Sequence, residues 1–326
     1  MNEQPLVSVV IPFLNAEPFL DESIQSVLAQ SYCRWELLLA DDGSTDSSTT
    51  TARWYEQNYS EKVRYLEHAG HANRGVCAAR NLGIRHARGE LLAFVDADDV
   101  WLPHKLERQV AIIAAQPEAA MVYGPSQKWF SWTGRSEDAG RDMVYDLRIP
   151  ADVLMEPPTL LALVLERRVI TPCPTNILLR RELVERVGGF EESFSGKYQH
   201  CEDQAFLAKV YTAAPVYVSG ECWDLYRQHS TSVSSKTKSS GYGFYVWEYY
   251  LNWLVEYLKR QNVRDARVWK ALNKELEPYR AANRSRLQTA AHKSVSQLKS
   301  VLRQIARQSL PQGIRRRLRA QWLNQR

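Results

Sequence analysis

Three carboxylates follow a short apolar segment of the chain. The residues from Leu91 to Val95 are all apolar, and Asp96, Asp98 and Asp99 come directly after them. Such a run is typical of a strand covered on both faces, and in these sheets ligands bind at the carboxyl ends of the strands. Two carboxylates one residue apart can share a hard cation such as Mg²⁺ or Mn²⁺, which leaves room for a substrate phosphate. The spacing favours a metal site for a diphosphate, and an acidic turn that caps the next helix is the alternative.

Two further acidic pairs lie at the ends of predicted elements. The apolar residues 35–40 lead into Asp41 and Asp42, and Glu202 and Asp203 open a segment with helical spacing. The first pair could accept hydrogen bonds from a ligand or could simply shape an Asx turn. The second could act in acid–base chemistry or could be an acidic pair favoured by a helix N-terminus.

Apolar and amphipathic segments alternate along the first part of the chain. Strands are predicted at 6–11, 35–40, 63–67, 91–95 and 119–123, and helices at 17–30, from 47, at 76–87 and from 103. We expect Pro12 to stop the first strand. Strands that alternate with helices over about 120 residues predict a doubly wound α/β sheet with right-handed connections.

The second half of the chain is less regular. Residues 124–158 are rich in Trp, Gly, Ser and charge, which favours loops and short strands beside a cleft. Strands are expected at 176–180, 216–219 and 222–227, and helices at 181–187 and 200–213. A Ser- and Lys-rich linker at 231–240 precedes an aromatic helix at 242–260, which we expect to pack against the preceding domain. We therefore predict one domain at 1–235 and a helical extension at 236–326.

Basic residues are concentrated towards the C-terminal end. Residues 278–326 contain 12 Lys or Arg and no Asp or Glu, which leaves 30 basic against 37 acidic residues in the remainder. Predicted helices at 294–310 and 314–323 place apolar residues on one face and basic residues elsewhere. This pattern predicts binding to an anionic membrane surface. A solvated basic face is the alternative, and nucleic acid is not an expected partner.

The cysteines and the apolar segments indicate a cellular compartment. The five cysteines are widely spaced and form no C-x-x-C pair, so neither a disulfide framework nor a zinc site is predicted. The apolar run at the N-terminus has no basic lead and no cleavage signal. No segment approaches the roughly 18 apolar residues that a membrane-spanning helix needs. We expect a cytoplasmic protein that lies on the inner face of the membrane.

Six blocks of sequence, taken in order, resemble one enzyme family. They are VSVVIPFLN, WELLLADDGSTDSS, NRGVCAARNLGIRHARGELLAFVDADDVWLPHKLE, VGGFEESF, CEDQAF and YRQHSTSVS. Together they closely resemble family 2 glycosyltransferases, the inverting enzymes with the GT-A fold, over about residues 5–235. The resemblance implies a doubly wound, mixed but mainly parallel sheet with flanking helices, to which the helical extension is added. The region 124–171 matches no diagnostic block.

The resemblance also implies a nucleotide-sugar donor, with a UDP-sugar favoured, and a divalent metal, Mg²⁺ or Mn²⁺. The metal ligands implied are Asp96 and Asp98, with Asp99 an alternate or supporting group and His229 a further ligand. The residues implied to bind the nucleotide sugar are Pro12, Leu14, Asp41, Asp42, Ser44, Arg80, Asp96 and Ala97. Among these, Asp42 would accept from a pyrimidine N3–H, and Arg80 would contact phosphate oxygens.

The acidic pair of the CEDQAF block is implied to be catalytic. Asp203 would take the proton from an acceptor hydroxyl, and Glu202 would orient the acceptor or raise the pKa of the base. The acceptor would be a growing cell-surface glycan or a lipid-linked glycan. A sugar-phosphate nucleotidyltransferase is the first alternative, although no Gly-rich phosphate loop follows the first strand. A non-catalytic glycan-binding scaffold is the second.

Overall fold

The structure is a computed structural model that describes residues 4–232, 235 and 243–282. The chain divides into two compact units, 1–272 and 273–326. In the second unit the described residues, 273–282, are helical. The basic helices predicted at 294–310 and 314–323 and most of the predicted linker lie outside the described residues. The domain boundary near 235 therefore stays a prediction.

The described part of the first unit contains twelve strands and eight helices, and its residues 266–272 are helical as well. The strands are β1 Val7–Phe13, β2 Trp35–Asp41, β3 Val63–Glu67, β4 Leu91–Phe94, β5 Val100–Trp101, β6 Met121–Tyr123, β7 Gln127–Trp129, β8 Met143–Val144, β9 Val153–Met155, β10 Leu178–Arg180, β11 Val216–Val218 and β12 Asp224–Arg227. The helices are α1 Leu20–Leu28, α2 Ser48–Asn58, α3 Val76–His86, α4 Lys105–Ala115, α5 Thr159–Leu165, α6 Arg181–Val187, α7 Glu202–Ala213 and α8 Gly243–Arg260. The pattern-based predictions place most of these elements within a few residues.

The main sheet has eight strands in the order β3-β2-β1-β4-β10-β6-β11-β9. The pairs β1·β2, β2·β3, β1·β4 and β6·β11 are parallel, whereas β10 runs antiparallel to both of its neighbours and β9 runs antiparallel to β11. A smaller sheet has the order β5-β12-β7-β8. The mixed, mainly parallel sheet with flanking helices confirms the predicted fold class.

Helices cover both faces of the sheet. Val7, Val9 and Ile11 of β1 belong to a core cluster that also includes buried residues of α1, α2 and α4. Val10 faces the opposite side, where α3 packs so closely that a Cβ on Gly83 would lie 2.4 Å from Val10 Cγ1. Because side chains alternate across a strand, β1 is buried on both faces, as its continuous apolar run predicted.

Pro12 does not stop β1, contrary to the expectation from the sequence. β1 continues to Phe13, which pairs with Asp41 of β2. On the other side β4 pairs with β1 only as far as Val10, whose carbonyl accepts the Val95 N–H. Residues two apart in a strand point their backbone groups to the same neighbour. The N–H that Pro12 lacks would therefore face the side where β4 has already ended, so the strand loses no ladder hydrogen bond.

The aromatic helix α8 packs against the segment that leads into α7. The ring of Tyr249 stacks on Tyr198 with centroids 4.0 Å apart, and Phe194 contacts Trp253 edge to face. Tyr198 belongs to a short 3₁₀ helix, Gly196–Cys201, that immediately precedes α7. The prediction that the aromatic helix packs against the preceding domain is confirmed. Among the described residues no helix is long and apolar enough to span a membrane.

Candidate active site

The acidic residues lie at the carboxyl ends of adjacent parallel strands. β1 lies between β2 and β4 and is parallel to both. β2 ends at Asp41, and β4 is followed within two residues by Asp96. Strands that are parallel and adjacent end at the same edge of the sheet, so these acidic segments share one edge.

The three carboxylates after β4 have different surroundings. Oδ1 of Asp96 accepts a hydrogen bond from Arg80 Nη2 at 2.6 Å, and Oδ2 of Asp98 lies 2.8 Å from His229 Nε2. Asp99 is fully buried: its Oδ2 accepts from the Thr175 hydroxyl at 2.7 Å and its Oδ1 from a backbone N–H at 3.0 Å. Asp96 and Asp98 are thus open to a ligand, whereas Asp99 is enclosed by the protein.

Arg80 connects two of the acidic segments. Its side chain is only 3% exposed, and its Nη1 donates to Glu202 Oε1 while its Nη2 donates to Asp96. The Nε of Arg80 and the Oε2 of Glu202 are buried without a hydrogen-bond partner among the described residues. The structure therefore places the Arg80 guanidinium between two carboxylates. The phosphate contact implied for Arg80 stays a prediction.

Burial shifts the ionisation of the Glu202–Asp203 pair. Burial raises the pKa of Glu202, the Arg80 charge opposes that rise, and the charge of Asp203 adds to it, which together bring the pKa to about 7. Burial also raises the pKa of Asp203, and the N–H of Gln204 opposes that rise. The charge of Asp203 thus raises the pKa of Glu202, and the roles implied for Glu202, orienting the acceptor or raising the pKa of the base, stay predictions.

Asp203 lines a cavity, whereas Glu202 is turned towards Arg80. The cavity has a volume of about 160 Å³. It is lined by Gly124, Ser126, Tyr145, Leu147, Ile170, Thr171, Pro172, Cys173, Asp203 and Tyr226. Most of these belong to the region 124–171, for which the sequence offered no recognisable block. The carboxylate of Asp203 is therefore positioned to meet a molecule that enters from this side.

Asp41 and Asp42 are both buried and hold neighbouring backbone. Asp41 accepts from the N–H of Ser44 at 2.8 Å and from two hydroxyl groups. Both oxygens of Asp42 accept from the Gly75 N–H, and Oδ1 also accepts from Arg74 N–H at 2.7 Å. Burial raises the pKa of Asp42, and these two N–H donors oppose the rise. The structure therefore shows Asp42 bound to the 74–75 loop, and its contact with a nucleobase stays a prediction.

The turn after β2 approaches a second loop closely. Gly43 has φ +86°, and a Cβ at this position would lie 2.8 Å from the carbonyl oxygen of His71. Nε2 of that histidine lies 2.8 Å from the carbonyl oxygen of Ser44. The Ser44 hydroxyl also accepts from Asn15 N–H at 3.0 Å, which ties the turn to the end of β1. A side chain at Gly43 would push these loops apart.

The remaining residues implied to bind the donor differ in exposure. Pro12 is buried in β1, whereas Leu14 directly after the strand is 42% exposed. Ala97 is buried, and its carbonyl accepts from the Ser23 hydroxyl at 2.9 Å. Leu14 is therefore accessible to a ligand, and the donor contacts implied for Pro12 and Ala97 stay predictions.

Arg227 is a site residue that the sequence analysis missed. Its guanidinium lies 4.4 Å from the ring centroid of Trp129, and its Nε donates to the carbonyl of Asp98 at 2.6 Å. Its Nη2 donates to Glu22, and its own N–H donates to Asp99. Arg227 thus fixes the turn that carries the aspartates. Its position two residues before His229, at the end of a predicted strand, was the available signal.

The described residues offer part of a cation site. In the described part of the chain no three His, Cys, Asp or Glu side chains are grouped to hold a metal ion. Asp98 and His229 nevertheless contact each other, and their side chains are 31% and 10% exposed. Mg²⁺ is usually bound through one or two carboxylates, with waters and substrate phosphates as the other ligands. The residues present therefore fit a cation that arrives with a diphosphate.

The fold and the acidic edge of the sheet define a GT-A-type glycosyltransferase. The sequence profile of Glycosyl transferase family 2 matches residues 8–188, which is more than half of the chain. The chain belongs to this family. Both the family and the fold inferred from the six sequence blocks are confirmed.

Curated relatives match a shorter part of the chain. EpsE of Bacillus subtilis (strain 168), named as a glycosyltransferase, is 41% identical over 113 residues, which are 35% of this chain and 40% of EpsE. WfgD of Escherichia coli is 39% identical over 111 residues, which are 33% of this chain and 41% of WfgD. Its name describes a β-1,3-glucosyltransferase that uses UDP-Glc and an α-D-GlcNAc-diphosphoundecaprenol acceptor. The chain thus spans about two fifths of each relative.

A solved structure shows the same fold over most of the chain. TarS residues 1–349 of S. aureus, in complex with UDP, superposes with a TM-score of 0.61 at 18% identity. The match covers 83% of this chain and 70% of that chain. At this identity the likeness concerns the fold alone.

Proposed function

We propose that this protein transfers a sugar from a nucleotide-sugar donor to an acceptor hydroxyl with inversion at the anomeric carbon. The contact of Arg80 with both Asp96 and Glu202 carries the proposal. Asp96 belongs to the segment that would hold the donor, and Glu202 directly precedes the proposed base, Asp203. One buried guanidinium therefore brings the donor side and the base into the same site, as a direct displacement requires.

Residues at the ends of β1 and β2 would bind the nucleoside. The exposed Leu14 would contact the base or ribose, with Pro12 beneath it, and Asp42 would accept from the N3–H of a pyrimidine. Asp41 and Ser44 would hold the turn in place through their contacts with each other. A UDP-sugar is the favoured donor, in line with the name of WfgD and with the UDP complex of TarS.

Asp98 and His229 would hold a divalent cation, with Asp96 beside them. We assign Asp99 the support of this turn in place of the ligand role implied by the sequence, because both of its oxygens accept hydrogen bonds from the protein. A bound cation would offset the negative charge that builds on the departing diphosphate, as Lewis-acid metal ions do in other enzymes. Arg227 would keep Asp98 in position, because its Nε donates a hydrogen bond to the backbone carbonyl of Asp98.

Asp203 would act as the base. Its carboxylate takes the proton of the acceptor hydroxyl while the hydroxyl oxygen forms a bond to the anomeric carbon. The bond from that carbon to the diphosphate oxygen breaks on the opposite face, so the configuration inverts. Glu202 is paired with Arg80 and does not line the cavity, so Asp203 is the carboxylate that an acceptor in the cavity meets. One free carboxylate is thus sufficient for a single displacement.

The acceptor would be a glycan, either growing at the cell surface or linked to a lipid. The name of WfgD, with its undecaprenol-linked acceptor, supports this class. The 12 Lys and Arg residues of 278–326 would bring the enzyme to an anionic membrane surface on the cytoplasmic side.

The test compares Asp203→Asn with Glu61→Gln, a carboxylate-to-amide change at an exposed position. Donor consumption would be followed by mass spectrometry across a panel of UDP-, GDP- and dTDP-sugars. Loss of a general base should lower kcat by about 10²- to 10⁴-fold. The Kd for UDP should stay within about twofold, because Asp203 lies on the acceptor side. Glu61→Gln should match the unaltered protein in both measurements.

The products of the same assay separate the alternatives. A glycosyltransferase releases a nucleoside diphosphate, whereas a sugar-phosphate nucleotidyltransferase exchanges pyrophosphate. A non-catalytic scaffold consumes no donor at all. Unchanged turnover in Asp203→Asn would refute the assignment of the base.

A further inference from the structure

The cavity beside Asp203 is small. Its volume of about 160 Å³ is well below the roughly 300 Å³ at which pockets for drug-sized ligands begin. It therefore has room for one small ring and not for a chain of sugars. Its walls come from three stretches of the chain between β6 and β10, together with Asp203 and Tyr226.

Several of the lining residues carry hydroxyl groups that can hydrogen-bond to a molecule in this cavity. Thr171 Oγ1 accepts from the Gln204 side chain at 2.8 Å, so its own hydroxyl hydrogen remains available to donate. The Tyr145 hydroxyl has no hydrogen-bond partner among the described residues, and burial raises the pKa of Tyr145 to about 12. At neutral pH it is therefore a protonated donor. With Asp203 as an acceptor, the cavity offers both donors and acceptors to a polyhydroxylated molecule.

The remaining walls are apolar or aromatic. Leu147, Ile170 and Pro172 line the cavity together with the rings of Tyr145 and Tyr226. Small-molecule sites commonly combine apolar walls with a few placed polar groups. A pyranose ring has this same combination, because its hydroxyl groups project around the rim while its C–H bonds form apolar patches.

The cavity carries negative charge and no positive charge. Of the described residues that line it, none is Lys, Arg or His, and Asp203 is the only acid. The Nζ of Lys128 lies 4.7 Å from the ring centroid of Tyr145, and Lys128 does not line the cavity. A second anion held here would lie beside the buried Asp203 carboxylate, and no cationic side chain lines the cavity to pair with it, which makes the anion costly to bury.

We propose that this cavity binds one uncharged pyranose ring of the acceptor and excludes rings that carry a carboxylate or a phosphate. The inference rests on the proposed function, because Asp203 is taken as the base. Tyr145 and Thr171 are the specificity-determining residues: they donate to hydroxyl groups of the ring. The acceptor unit would accordingly be a neutral hexose or N-acetylhexosamine and not a uronic acid.

Binding to the full chain saturated with UDP would be measured by saturation-transfer NMR. The probes are the methyl β-glycosides of glucose, galactose and N-acetylglucosamine, together with methyl β-glucuronide. At least one neutral glycoside should bind, and the glucuronide should bind at least about tenfold more weakly, as expected for an unpaired anion. Equal or tighter binding of the glucuronide would overturn the proposal. So would the absence of binding by every neutral glycoside to protein that binds UDP.

Substitutions of residues that line the cavity test whether the neutral glycosides bind there. Tyr145→Ala and Thr171→Val should each weaken the neutral glycoside about tenfold, in line with about 1.4 kcal/mol for a lost buried contact. Their Kd for UDP should not change. Tyr59→Ala is the matched control, since this tyrosine is 43% exposed and does not line the cavity. Unchanged glycoside binding in both cavity variants would also overturn the proposal.

A substitution that adds a positive charge provides a gain of function. Thr171→Lys places an ammonium group at the cavity and should increase glucuronide binding relative to the neutral glycosides. No such increase in a folded Thr171→Lys protein would count against the proposal. Failure of the unaltered protein to bind UDP or any nucleotide sugar would instead overturn the proposed function. UDP binding is measured independently of glycoside binding, so the two outcomes can be distinguished.

Discussion

Arg80 and Glu202 lie 122 positions apart in the chain, and the guanidinium of Arg80 donates to the carboxylate of Glu202 at 2.5 Å. A second hydrogen bond from the same guanidinium, 2.6 Å long, reaches Asp96. Arg80 therefore links helix α3 to the end of β4 and to the start of α7. This one side chain joins the segment proposed to hold the donor to the segment that carries the proposed base.

Replacing Arg80 by Lys should damage both activity and stability. A single ammonium group cannot reproduce the planar fork that contacts two carboxylates, so one of them is left buried without its partner. We expect kcat to fall at least tenfold and the free energy of unfolding to fall by about 3 kcal/mol. Transfer assays and urea denaturation measure the two effects. Arg181→Lys, on the exposed face of α6, should change neither, and wild-type behaviour of Arg80→Lys would contradict the bridging role.

Glu202 should make stability depend on pH in the neutral range. Because burial raises its pKa from 4.5 to about 7, the folded protein holds this proton more tightly than the unfolded chain does. The resulting stabilisation is present below pH 4.5 and is lost as the pH rises to about 7. Relative to Glu202→Gln, the unaltered protein should lose up to about 3 kcal/mol between pH 4.5 and 8. Urea denaturation at both pH values checks this, and parallel curves for the two proteins would contradict it.

His229→Ala should weaken UDP binding only when a divalent cation is present. The imidazole Nε2 lies 2.8 Å from Asp98 Oδ2, so its loss removes one of the two proposed ligands. We expect the Kd for UDP with Mn²⁺ to rise by about tenfold or more, with little change in EDTA. Calorimetry measures both conditions. His104→Ala is the control, because that side chain is 72% exposed, and an equal loss of affinity in EDTA would exclude the metal role.

Tyr249→Ala should slow transfer without affecting donor affinity. The Tyr249 ring stacks on Tyr198 in the 3₁₀ helix that leads into α7. Loss of this stack costs about 1 kcal/mol and loosens the segment before Asp203, which should lower kcat about tenfold because catalysis is sensitive to small displacements. Tyr245→Ala, one turn earlier and 47% exposed, is the matched control. The same kcat in both variants would argue against this role of α8.

The strands and helices of the first domain could be predicted because they depend on local patterns. Continuous apolar runs became the central parallel strands, and helical spacing located α1, α3 and α4. Pro12 was the exception. A proline normally excludes a central strand, but the effect depends on whether the neighbouring strand extends that far. The length of β4 relative to β1 is a property of the assembled sheet, and the residues around Pro12 do not predict it.

The acidic residues were identified by type and spacing, but their individual surroundings were not. Asp98 and Asp99 are adjacent in the sequence, yet one contacts His229 and the other is fully enclosed by Thr175 and Arg227. They lie in an irregular turn, where no strand or helix periodicity fixes the direction of a side chain. The direction of each side chain therefore depends on how the turn packs against the segment of Arg227 and His229, about 130 positions away in the chain.

The sequence by itself determined the family, the order of the elements and the edge of the sheet at which acidic side chains collect. These follow from short-range periodicity and from the parallel alignment that alternating strands and helices impose. The tertiary structure alone decided that Arg80 bridges Asp96 and Glu202, and that residues from the segment 124–173 form, with Asp203 and Tyr226, a cavity of about 160 Å³. Both arise from contacts between segments far apart in the chain, and such contacts depend on how the elements pack together.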